Sequence, residues 1–206
     1  LIFGAEDFNS GTELWKSNGT SAGTEEVAEI NPGNGDGVLL PKVNFNGFVY
    51  FIGYSDTEGA ELYKTDGTNG GTVMVKDVYP GVASGIYQNG GLHVANDLLY
   101  YVGSSPETGQ EIWQSDGTES GTECAGEIAP GTVSGSPQSL NLKCQHLYFT
   151  GNTIEHGNEL WAINTGWVVG QSEHIQEDFL MVYPNPVVNQ FTIEFSNLVE
   201  RGKVEI

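Results

Sequence analysis

"ELWKSNGTSAGT" occupies residues 13–24, "ELYKTDGTNGGT" residues 61–72 and "EIWQSDGTESGT" residues 111–122, and a broken "ELWAINTG" follows at 159–166. Recurrence of one long stretch sets a unit of about 50 residues, a period that belongs to stacked repeat architectures. Within one unit, "LHVANDLLYYVGSS" (92–105) reads as two short strands turning at Asn96-Asp97. "GQEIWQS" reads as a third strand, "DGTESGT" as a loop, and "ECAGEIAPG" as a fourth strand closed by Pro130-Gly131. Three or four strands at this period are the signature of a propeller blade.

Side-chain alternation supports blades over a sandwich. Neighbouring strand residues point to opposite faces. Leu14-Trp15, Leu62-Tyr63, Ile112-Trp113 and Leu160-Trp161 are adjacent apolar pairs, as are those within Val49–Ile52, Leu99–Val102 and Leu147–Phe149. Both faces of such strands need cover, which a blade stacked between two others provides. Burying each aromatic contributes about 2–3 kcal/mol. Exposed sugar-stacking platforms are the alternative use of the same rings.

Composition agrees with an all-β chain. Among 206 residues there are 29 glycines and only 17 % charged residues, so turns are frequent and long charged helices are not expected. Apolar residues at helical spacing are not sustained anywhere. The 27 acidic residues against 7 Lys plus Arg give a formal charge of −20. Phosphate recognition needs basic side chains, so nucleic acid and anionic lipid are improbable partners. No apolar run approaches a membrane-spanning length. "LIFGAEDFNSGTELW" (1–15) matches the interior of a repeat at 49–63, so the chain is expected to begin in mid-architecture, with any export signal upstream.

The "DGTxxGT" loop has two readings. Asp-Gly loops hold calcium in many proteins. Alternatively, the Asp oxygen accepts a backbone N–H two residues on and Gly supplies positive φ, which makes a tight turn. Asn18 replaces Asp66 and Asp116 in the first copy, keeping the accepting oxygen without the charge, which favours the turn. Glu13, Glu61, Glu111 and Glu159 recur with the framework and are expected to be structural acceptors, since catalytic carboxylates come in unequal pairs. His93, His146, His156 and His174 lack metal-ligand spacing, and no hydrolase, zinc-protease or phosphate-loop motif occurs. No catalytic, cofactor or metal residue is assigned, and enzymatic activity is not expected. Cys124 and Cys144 fall on consecutive elements; in an oxidising compartment they either form a disulfide or stay reduced, and spacing alone does not decide.

Residues 1–166 resemble the ELWxxDGTxxGT repeat proteins of Bacteroidetes. The resemblance implies a secreted or surface β-propeller, here about three and a half blades of ~50 residues. The fourth copy departs from the pattern: Ile163-Asn164-Thr165-Gly166 stands where Ser-Asp-Gly-Thr is expected. Terminal repeats are commonly atypical, so the array is expected to end there, with earlier blades outside this chain.

A polar linker is expected at 167–178. Residues 179–206 open with "FLMVYPNP", and "QFTIEF" (190–195) alternates as a half-buried strand. Tyr183, Pro184, Asn185 and Pro186 with that strand resemble the start of the type A C-terminal sorting domain of the type IX secretion system. That domain is a small β-sandwich. The resemblance implies recognition of these residues by the type IX translocon and its outer-membrane shuttle barrel protein, passage through the periplasm, and delivery to the cell surface or medium. The functional expectation is a binding or adhesion protein with a glycan or surface ligand. A non-catalytic scaffold of an extracellular polysaccharide-degrading enzyme is the alternative.

Overall fold

The computed structural model describes residues 1–7, 10–143, 145–165, 179–183, 191–195 and 203–204. It is all-β: apart from two short 3₁₀ turns at Ser21–Gly23 and Gln88–Gly90, every described element is a strand, arranged in four antiparallel sheets. Among the described residues no helix is long and apolar enough to cross a membrane.

Each sheet corresponds to one sequence unit. The first is β1 (Ile2–Asp7), β2 (Gly11–Ser17) and β3 (Thr24–Ala28), in that order. The second is β4 (Val38–Phe45), β5 (Phe48–Ser55), β6 (Gly59–Thr65) and β7 (Val73–Lys76). In the third, the inner position is shared by β8 (Ile86–Tyr87) and β9 (His93–Ala95), which both pair with β10 (Leu98–Ser105). That sheet continues through β11 (Gly109–Ser115) to β12 (Thr122–Gly126). The expected turn at Asn96-Asp97 is present, with φ of 45° and 61°, a left-handed pair that Asn and Asp tolerate better than other side chains.

The fourth sheet begins with β13 (Gln138–Lys143), β14 (His146–Thr153) and β15 (Gly157–Asn164). Its ladder then runs on through β16 (Phe179–Tyr183), β17 (Phe191–Phe195) and β18 (Lys203–Val204). The stretch expected to open a sandwich therefore pairs antiparallel with the last repeat. Its register also differs from the other outer strands. Leu14 opposes Ala28, Leu62 opposes Lys76 and Ile112 opposes Gly126, each followed by a register shift at the next residue. Leu160 opposes Val182 and Trp161 opposes Met181 without one.

The sheets stack face to face in chain order. Leu14, Val27 and Ala28 of the first pack with Phe51 and Tyr63 of the second. Tyr50, Ile52 and Leu62 of the second pack with Tyr101 and Trp113 of the third. Tyr100, Val102 and Ile112 of the third pack with Phe149 and Trp161 of the fourth. Adjacent apolar residues thus serve opposite neighbours, which is the arrangement the doubled apolar pattern calls for.

Candidate functional site

The loops at the two ends of the sheets do different work. At one end lie the "DGTxxGT" loops. The Asp66 Oδ1 accepts from the backbone N–H of Thr68 at 2.9 Å and from its hydroxyl at 2.7 Å. Thr68 Oγ1 accepts from Gly71 N–H, and the Thr72 hydroxyl donates to the Thr68 carbonyl. Asp116 repeats this set with Thr118, Gly121 and Thr122. Asn18 repeats it too, accepting from Thr20 N–H at 3.0 Å and from the Thr20 hydroxyl at 2.7 Å. The turn works with or without a charge, so geometry accounts for the Asp. The two hydrogen bonds from Thr68 hold the exposed Asp66 carboxyl below its ordinary value. Among the described residues no three His, Cys, Asp or Glu side chains gather as a metal group.

These loops also join neighbouring sheets. Lys16 Nζ donates to the Gly67 carbonyl at 3.1 Å, and Lys64 Nζ to the Gly117 carbonyl at 2.7 Å. Each lysine follows the Trp or Tyr of one motif and reaches the loop of the next. The third copy has Gln114 at this position, and its amide donates to Glu123 of its own sheet instead. Its target would be the loop of the fourth copy, where the Asp-Gly-Thr is missing. Sequence reading did not find this lock, although the column Lys16, Lys64, Gln114, Ala162 carried its signal.

At the other end, the recurrent glutamates anchor the connections between sheets. The Glu111 side chain is wholly buried and accepts from the N–H groups of Ile128, Ala129 and Gly135 at 2.8, 3.1 and 3.0 Å. Glu13 accepts from Ile30 and Asn31, and Glu61 from Tyr79 and Gly85. A side chain at Gly85 or Gly135 would run into the carboxylate, which explains those glycines. Burial pushes Glu61 and Glu111 up to about 7, against the backbone N–H groups that pull them down. Glu13 is raised by the same cause. Glu61 and Glu159 each have a buried Oε2 without a hydrogen-bond partner among the described residues.

Each connection is further stitched to a hairpin turn. Asp36 Oδ1 accepts from Thr12 N–H, Asn31 Oδ1 from Asp56 N–H, and Ser84 and Ser134 hydroxyls from Ala60 and Gln110 N–H. The motif is constant beneath this end, while its surface varies: "NPGNGDG", "YPGVASG" and "APGTVSG" in the connections, "SDTEG", "SPETG" and "TIEHG" in the turns. These segments carry Asp36, Asp56, Glu58, Glu107 and Glu155 and no lysine or arginine.

Of the other residues singled out in the sequence, Cys124 is half-buried on β12, whereas Cys144 lies outside the described residues, as does His174. His93 sits against the Gly90 carbonyl, His146 stacks near Tyr148, and His156 is exposed in a turn; the three are not brought together. Tyr183 ends β16, and Pro184, Asn185 and Pro186 lie outside the described residues. Comparison with known proteins returned no matching family model, no matching curated protein and no matching solved structure.

Proposed function

We propose that this chain is part of a secreted or cell-surface β-propeller that binds a glycan or other surface ligand, exported as cargo of the type IX secretion system. The observation that supports it is the division between a constant framework and a variable surface. Lysines, buried glutamates and Asx-turns are spent on holding sheets and connections in place. The residues that vary from unit to unit are gathered on one loop-bearing end, and rigid scaffolds with variable loops are where recognition resides. The ELWxxDGTxxGT motif and the "VYPNP" tail supply the export reading: Tyr183, Pro184, Asn185 and Pro186 act as the recognition element for the translocon and shuttle barrel protein.

Two measurements test this. The chain is screened against a glycan panel with and without chelator, and loops 79–85 and 129–135 are then exchanged for the 31–37 sequence. Binding that survives chelation and is altered by the exchange is expected; binding abolished by chelator would replace the turn reading with a calcium site. For export, deletion of residues 179–206 is expected to leave the protein in the periplasm, and undiminished surface display would refute the sorting role.

A further inference from the structure

We propose that the connection-bearing end takes a cationic peptide segment with apolar side chains, seated on an aliphatic strip that crosses the second, third and fourth sheets. The inference rests on the reading that recognition resides at this end, and it names the class of ligand.

Backbone bonds set the strip out. The connection 79–85 is tied to its own sheet by the Ala60 N–H on the Ser84 hydroxyl, and to the next sheet by the Ser104 N–H on the Gly85 carbonyl. The connection 129–135 is held in the same way, by the Gln110 N–H on Ser134 and the Asn152 N–H on the Gly135 carbonyl. Connections and turns therefore alternate along the end, and Val82, Pro106, Val133 and Ile154 follow one another across it. Val82 is 76 % exposed, Val133 42 % and Ile154 86 %, and Pro106 is exposed beside them. Asp56, Pro106 and Ile154 stand at the same point of successive turns. Asp56 and Pro106 are exposed although a connection is bonded on either side of their turns, so the exposure belongs to the position and not to the place in the array.

The frame does not need these apolar groups. Asn34 stands in the first connection where the second has Val82, and both connections close on a recurrent glutamate and a stitched turn. Exposed aliphatic side chains gathered in one strip mark an interaction surface. Charge selects the occupant. Asp56, Glu107 and Glu155 are exposed on the turns that carry or flank the strip, and the connections and turns hold no lysine or arginine. An anionic membrane surface is repelled, and so is a second copy of a chain with a formal charge of −20. The four strip residues offer no aromatic face on which a sugar ring would stack. A peptide sets apolar side chains on the strip and lysine or arginine on the carboxylates beside it, the division into apolar core and polar rim found in protein interfaces.

The test uses the full 206-residue chain and labelled heptapeptides that vary in lysine and leucine content, read by fluorescence anisotropy. Saturable binding is expected only where both residue types are present, and it should weaken as sodium chloride is added. Val82→Asn and Ile154→Asp install residues that the first connection and the second sheet's turn already carry at those points. Each should weaken binding about fivefold, while Glu107→Gln should flatten the salt dependence. No binding of any peptide up to about 1 mM, while the near-ultraviolet tryptophan signal shows a folded chain, overturns the proposal. So does equal binding of peptides with glutamate in place of lysine, or binding that Val82→Asn and Ile154→Asp leave unchanged. A glycan that binds in place of the peptides and is lost in Val82→Asn would keep recognition at this end and overturn the peptide alone. Amide protection by the peptides at the "DGTxxGT" loops instead would overturn both.

Discussion

The two middle sheets and the two outer sheets are built from nearly the same residues and end in different states. In the second and third sheets, where each face has a neighbour, both members of the apolar pairs are buried: Leu62 and Tyr63, Ile112 and Trp113. In the first sheet Leu14 faces the second sheet and is buried, while Trp15, on the other side, is half-exposed. The fourth sheet mirrors it, with Trp161 buried against the third and Leu160 half-exposed. The glutamates do not follow this rule: Glu13 of the first sheet engages both oxygens, while Glu61 of the second and Glu159 of the fourth each keep a buried Oε2 without a hydrogen-bond partner among the described residues. The burial of an apolar repeat residue therefore follows how many neighbours its sheet has, as in other stacked arrays.

The largest expected effect tests that difference directly. Trp113→Ala should cost about 3–5 kcal/mol and Trp15→Ala about 1–2 kcal/mol, read from urea unfolding; equal losses would break the comparison. Next comes Glu111→Ala, which orphans three buried N–H groups and should cost about 3 kcal/mol, well beyond Glu159→Ala. The pH dependence sharpens this. Glu61 and Glu111 have folded values raised from 4.5 to about 7, so the folded chain holds their protons more tightly than the unfolded one. Their contribution is complete below pH 4.5 and is lost as pH rises through about 7. Thermal melts from pH 4.5 to 8 should show this decline, with a shallower slope in Glu111→Gln.

Smaller is the lysine lock. Lys64→Met should cost about 1 kcal/mol at the boundary between the second and third sheets, whereas Gln114→Met, which removes only a bond to Glu123 of the same sheet, should leave the unfolding midpoint in place. Smallest of all is Asp66→Asn. Asn18 already builds the same turn, so the melting temperature should not fall and added calcium should not shift it.

The strand plan of each unit was legible because its signals are local: doubled apolar pairs, Asn-Asp or Asn-Gly at turns, and Pro-Gly after the outer strand. The Asx-turn role of Asp66 was legible for the same reason, since donor and acceptor lie two residues apart. The partners of the glutamates were not, because Glu111 reaches Gly135 across a separation of 24 residues that includes β12. Nor was the bond from Lys64 to Gly117, which spans 53 residues and exists only when two sheets stack.

By itself the sequence determined the unit, its period, its turns and the need to bury both faces of each strand, because these follow from backbone geometry and residue polarity within a few positions. Only the tertiary structure decided which member of each apolar pair in the outer sheets is buried, which carbonyl each lysine finds, and that the tail strand Phe179–Tyr183 pairs with β15. Those outcomes depend on contacts between units, and repeats so alike in sequence differ there only in what stands beside them.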